Sequence, residues 1–135
     1  MADYSWLQSC TRLQPPCDLI AIDAVEMDLK YTFPNEYRDF LHTADGGILT
    51  DAVILFSAGQ GIDPSETLLA ANLERPGLPV VLVGRFADEE FGFLRSELSD
   101  PTRAVHVYKH ETDGLRKIAD SFEGFLRASV RGERF

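Results

Sequence analysis

The spacing of apolar residues changes twice along this chain, from helical to extended and back to helical. The clearest helical stretch is Phe33-Pro34-Asn35-Glu36-Tyr37-Arg38-Asp39-Phe40-Leu41. Phe33, Tyr37, Phe40 and Leu41 step by four, three and one, which gathers them on one side of a helix. Pro34 suits the first helical position, where its missing N–H has no intrahelical partner. Glu36 brings a negative charge into the first turn, near the positive end of the helix dipole. Asp45-Gly46-Gly47 closes the stretch, since Gly46 or Gly47 can take the left-handed conformation that stops a helix. The predicted helix therefore runs from Pro34 to about Ala44. Before it, Asp18 caps a first helix reaching about Lys30, with Ile22, Val25, Met27 and Leu29 as its apolar groups. Two helices joined by so few residues pack as neighbours.

Beyond the glycines the pattern turns extended. Ile48-Leu49-Thr50 and Val53-Ile54-Leu55-Phe56 read as strands, the second a buried apolar run. Gly59-Gln60-Gly61 marks a turn, and Asp63-Pro64-Ser65-Glu66 starts a helix with Asp63 as cap. That helix carries Leu68, Leu69 and Leu73 and stops before Pro76-Gly77. Pro79 to Gly84 has the composition of a central strand. Glu90 to Leu94 and Ala104 to Tyr108 are two more, with a polar connection from Leu98 to Thr102. Leu115, Ile118, Ala119, Phe122, Phe125 and Leu126 recur at threes and fours and predict one closing helix. Residues 1–17 form a weakly patterned arm in which Trp6, Leu7 and Leu13 can pack onto the body, and residues 131–135 form a frayed tail. Residues 18–130 then make a single α+β domain, a central mixed or antiparallel sheet flanked by N-terminal and C-terminal helices.

Composition narrows the functional classes. At 135 residues, 44% hydrophobic and 10% aromatic, one domain can build its core without a covalent staple. The formal net charge of −9 repels nucleic acid and anionic membrane surfaces, so neither is an expected partner. It favours a basic protein. Cys10 and Cys17 lie either side of Pro15-Pro16; a disulfide between them stays open, and no C-x-x-C metal or redox pattern is present. The start, Met1-Ala2-Asp3-Tyr4-Ser5-Trp6, lacks a secretory pattern, and no run approaches the ~20 apolar residues that cross a bilayer. The expected location is cytoplasmic, with reduced thiols.

Candidate chemistry is thin. His106 and His110 flank Tyr108 on a strand, all three on one face with Val105 and Val107 on the other. Glu111 and Asp113 follow, but roughly 13 Å separates the two histidines by strand rise, too far to share one ion. A polar outer sheet face is the expectation, and His42 is expected to be partly exposed. A dinucleotide fingerprint at Gly59-Gln60-Gly61 fails because its third glycine would fall at Pro64, while Asp63 would repel a pyrophosphate. Ser57, Ser65 and Ser121 lack a nucleophile elbow, and neither cysteine has a base nearby in sequence. Asp120-Ser121 is expected inside the closing helix, facing solvent. No catalytic residue, metal ligand or cofactor follows from these patterns. The acidic run Asp88-Glu89-Glu90, in a connection between strands, is the candidate partner-binding surface, with Glu111 and Asp113 as its extension. Asp63 and Glu66 could extend it further.

The order of motifs resembles the SUKH superfamily, which includes the yeast cell-wall-assembly regulator and many bacterial immunity proteins. Its members commonly show a glutamate late in the first helix, a Leu-Pro-x-x-Tyr-x-x-Phe-Leu helix, and Asn-Gly-Gly. This chain offers Glu26, then Phe33-Pro34 with Tyr37, Phe40 and Leu41, then Asp45-Gly46-Gly47. Val83-Gly84 stands for the family's Ile-Gly pair, and Ala119 to Leu126, with Phe122 and Phe125, for its closing Ala-x-Ser-Phe-x-x-Phe-Leu helix. Phe33 and Asp45 depart from the usual leucine and asparagine. The acidic loop after the Ile-Gly pair is less recognisable in Arg85 to Glu90. The resemblance implies a structural role for these motif residues, a non-enzymatic protein-binding domain, and an immunity protein that neutralises a toxin such as a nuclease. The alternative it implies is a regulatory or scaffolding adaptor without a toxin partner.

Overall fold

A computed structural model describes residues 4, 6, 13, 15–50, 53–59, 67–73, 77–86, 89–95, 103–109, 112 and 114–132. Asp18 opens the first helix, α1 (Leu19–Leu29), by accepting the Ala21 N–H at 2.8 Å, and Lys30 closes it in the left-handed conformation. Ile22, Val25 and Leu29 form its buried side. Helix α2 (Asn35–Thr43) begins one residue later than its sequence suggests, because Pro34 is extended and acts as the cap. Gly46 and Gly47, both with positive φ, lie past the cap at Ala44 and turn the chain into the sheet. A Cβ on Gly46 would sit 2.6 Å from the Phe56 carbonyl oxygen, so only glycine fits there.

Six strands follow in an antiparallel meander: β1 (Gly47–Thr50), β2 (Val53–Leu55), β3 (Val80–Phe86), β4 (Glu89–Leu94), β5 (Val105–Lys109) and β6 (Gly114–Ala119). Helix α3 (Leu68–Leu73) lies between β2 and β3 and packs against α1 and β3. The helix start expected at Asp63-Pro64 lies outside the described residues. Strand β2 pairs with β3 at Ile54–Arg85 and Leu55–Gly84, and just past β2 the Phe56 N–H donates to the Val83 carbonyl at 2.9 Å; among the described residues no strand pairs with β3 before Val83 on this edge. Asn72 of α3 fills the gap. Its Oδ1 accepts the Leu82 N–H, and its Nδ2 donates to the Leu82 carbonyl, both at 2.8 Å. Gly84 of the Val83-Gly84 pair is required by close approach, since a Cβ there would lie 2.4 Å from the Phe91 ring.

The C-terminal region corrects the sequence reading. Residues 114–119 form β6, not the start of a helix, and α4 covers only Phe122–Val130. Three apolar residues at Leu115, Ile118 and Ala119 fit a helix or a bulged strand equally well. Pairing with β5 decides, with Leu115 opposite Tyr108 and Lys117 opposite His106. Ser121 is therefore not inside a helix; it is extended, and its hydroxyl accepts the Gly124 N–H at 3.0 Å as the α4 cap.

The face of the sheet that carries Val81 and Phe93 holds the aromatic part of the core, and Val80 and Leu82 of β3, on the opposite face, are fully buried as well. Tyr37 of α2 packs edge-on against Phe122 of α4 (ring centroids 4.8 Å), Phe33 (4.9 Å) and Phe93 of β4 (5.4 Å). Phe40 meets Phe122 at 5.2 Å, and Phe125 meets Phe91 at 4.6 Å. Leu41 and Leu126 are buried with them. The N-terminal arm joins this core through Tyr4, whose ring lies edge-on to Phe40 and whose hydroxyl donates to the Glu36 carbonyl at 3.0 Å. Cys17 is a buried free thiol, pushed up to about 11 by burial beside Asp45 and Asp18; Cys10 lies outside the described residues. Tyr37→Ala is expected to cost about 3–5 kcal/mol in chemical denaturation. The Tyr37 hydroxyl has no hydrogen-bond partner among the described residues, so Tyr37→Phe should stay within about 1 kcal/mol of the parent.

Candidate functional site

The acidic run splits when placed in three dimensions. Glu89 and Glu90 belong to β4 itself, not to the connection before it. Glu90 lies in register between Arg85 and Tyr108 and is only 9% exposed, so it is poorly placed to meet a partner. Glu89 is half-buried with Lys109 Nζ 3.9 Å away. Asp88, Glu111, Asp113, Asp63, Glu66 and His110 lie outside the described residues. On the neighbouring strand His106 is half-buried and Tyr108 is 5% exposed, which corrects the expectation of a polar, solvated outer face there. His42 is exposed as expected, with Nδ1 3.2 Å from the Cys17 carbonyl. Among the described residues no three His, Cys, Asp or Glu side chains are grouped to hold a metal ion. No helix among them is long and apolar enough to cross a membrane.

A different set of acids is brought to order, the three that stand in the sequence motifs. Each meets backbone N–H groups of another segment. Glu26, late in α1, accepts the Phe33 N–H at 2.7 Å and approaches Arg38 Nε at 3.6 Å, which fixes the α1–α2 connection. Arg103, buried two residues before β5, holds the same connection. Its Nη1 donates to the Thr32 carbonyl at 2.6 Å, and its guanidinium lies 5.1 Å from the Tyr31 ring centre.

Glu36 reaches from the first turn of α2 to the first turn of α4, where its carboxylate accepts the N–H groups of Phe122 and Glu123. Helix N-termini carry unpaired N–H groups and a positive dipole end, so a carboxylate there is doubly favoured. Asp45 accepts the Ala58 N–H (2.7 Å) on one oxygen and the Gly59 N–H (3.0 Å) on the other. Its own carbonyl takes the Ser57 hydroxyl at 2.6 Å.

Burial raises the pKa of Glu26, Glu36 and Asp45, and the backbone hydrogen bonds only partly offset that rise. Perturbed carboxyls often mark catalysis, but here the hydrogen-bond partners are main-chain amides of the protein's own fold. Their work is to join segments. Sequence reasoning assigned Glu36 to its own helix dipole and overlooked Asn72 and Arg103. The amide side chain of Asn72 within the apolar run Leu68 to Leu73 was the available signal for the first; the polar sequence before Arg103 gave none for the second.

Two outcomes follow. Because the folded-state pKa values of these acids lie above their unfolded values, the extra stability that comes from their protonation is complete below about pH 4. It is lost as pH rises through the raised values, so thermal stability should fall on going from mildly acidic to neutral pH. Glu36→Gln should flatten that slope in melts recorded across the range. Asp45→Asn should cost about 1–2 kcal/mol in denaturant titration. The new amide group would face a backbone N–H where an oxygen now accepts.

The SMI1-KNR4 cell-wall family model matches residues 21–126, from within α1 to within α4. No curated protein matches the chain. The matched span holds Glu26, Glu36 and Asp45 together with the aromatic residues of α2 and α4 that they tie in place. This chain belongs to the SUKH superfamily.

Proposed function

We propose that this SUKH domain is a non-enzymatic binding protein that neutralises a cognate basic toxin domain by stoichiometric occlusion in the cytoplasm. Family membership over residues 21–126 carries the reading. The charge supports it: 22 acidic residues against 13 basic ones draw a basic partner inward over a Debye length. The carboxyls with shifted pKa values are engaged as internal fasteners, which supports occlusion over turnover. The matched model's description as a cell-wall family favours a second reading, a regulatory adaptor without a toxin.

Neighbouring reading frames and co-expression separate the two. For an immunity protein, an adjacent gene encodes a toxic C-terminal domain, and co-expression of this chain restores growth. Purified components should form a 1:1 complex whose association slows steeply as salt rises. Absence of protection, with no toxic neighbour, would favour the adaptor.

A further inference from the structure

A closed circuit of contacts joins the N-terminal arm to the contact between α2 and α4. The Tyr4 hydroxyl donates to the Glu36 carbonyl at 3.0 Å, and the Glu36 carboxylate accepts the Glu123 N–H. The Glu123 carboxylate pairs in turn with Arg127 Nε at 3.3 Å. The Arg127 guanidinium lies over the Trp6 ring, 4.4 Å from its centre, and the Trp6 ring lies 6.4 Å from that of Tyr4. Burial, and then the Glu36, Glu123 and Asp39 carboxylates, push the Tyr4 hydroxyl above tyrosine's usual range, so it stays a donor. Each link is modest, but contacts arranged in one network rise and fall together. The arm enters this circuit from outside, since Tyr4 and Trp6 precede the SUKH span 21–126 that holds Glu36 and Glu123. From Leu13 onward the chain is tied by its backbone. Leu13 bridges Gly47, the Pro15 carbonyl accepts the Asp45 N–H at 3.1 Å, and the Cys17 N–H donates to the Leu41 carbonyl at 2.9 Å. The ties described ahead of Leu13 run through two side chains, Tyr4 buried against Phe40 and Trp6 half-buried against Arg127.

We propose that Tyr4 and Trp6 form a releasable strap over the α2–α4 contact: it opens as a step of its own while the two helices stay packed, and its seating stabilises them. Two side chains must offset the conformational entropy of every arm residue that their docking fixes. The helices have the Glu36 bridge and the Tyr37–Phe122 ring contact, neither of which involves the arm. A segment with so few anchors opens below the free energy of global unfolding. The circuit makes the coupling reciprocal. Weakening the Glu36 bridge loosens Trp6 by the same factor by which release of the strap weakens that bridge. Capture of the arm therefore destabilises the α2–α4 contact without touching either helix. The strap is independent of the toxin reading.

Trp6 is the single tryptophan of the chain, so its fluorescence reports the strap directly. In the full chain, acrylamide quenching of Trp6 followed through a urea titration should rise at lower urea than the loss of helix seen by circular dichroism. Tyr4→Ala should increase the open population about tenfold, as loss of one hydrogen bond and one ring pair does, with helix content unchanged before urea is added. Glu36→Ala should raise Trp6 quenching too, although the Glu36 carboxylate meets α4 and not Trp6; an arm that only covers Phe40 would not respond to it. Coincident quenching and helix-loss curves in the parent overturn the strap. So does loss of helix in Tyr4→Ala, which would make Tyr4 part of the domain core. Parent-level quenching in Glu36→Ala, or in Glu36→Gln should the alanine variant not fold, overturns the coupling to α2 and α4.

Discussion

The contact between α2 and α4 is the interaction on which the rest of this structure depends. It joins segments 87 residues apart through Glu36 and the Glu123 N–H. Directly beneath, Tyr37 and Phe122 pack edge-on, and the same rings reach Phe93 of the sheet. A charge at a helix N-terminus and an aromatic cluster below it act on the same pair of helices. The polar contact fixes the orientation, and the apolar one supplies most of the burial. With both helices fixed, one face of a six-stranded meander is covered, and the arm can lay Tyr4 against Phe40 and the Glu36 carbonyl.

Much of this was legible in the sequence because it is local. The Asp18 cap, the α2 stripe, and the run of strands from Ile48 to Tyr108 follow from short-range spacing and turn residues. The unread parts share a different cause. Glu36 looked like a dipole partner for its own helix because its true partner is distant in the chain. Leu115 to Leu126 read as one helix because a bulged strand followed by a capped helix can imitate helical spacing. Only pairing with β5, a long-range contact, resolves the ambiguity. Asn72 and Arg103 carried no motif at all. Their roles arise where β3 lacks a neighbour and where the Thr32 carbonyl is enclosed.

The candidate site was the least legible feature, for a related reason. Charge in a sequence does not reveal which carboxylates face water. Glu90 appeared to belong to an acidic turn, yet the strand places it between Arg85 and Tyr108. Meanwhile Met27 passed as ordinary apolar content of α1, although it is exposed and only Ile22, Val25 and Leu29 of that helix are buried in the core.

Amide hydrogen exchange at Phe122 and Glu123 tests the central claim most directly. First-turn amides of a helix have no intrahelical acceptor and normally exchange quickly. If the Glu36 carboxylate joins α2 to α4 as described, both amides should exchange only through global unfolding and lose protection in Glu36→Ala. Rapid exchange of both amides in the parent protein, at the rate of the α4 C-terminal end, would contradict the account.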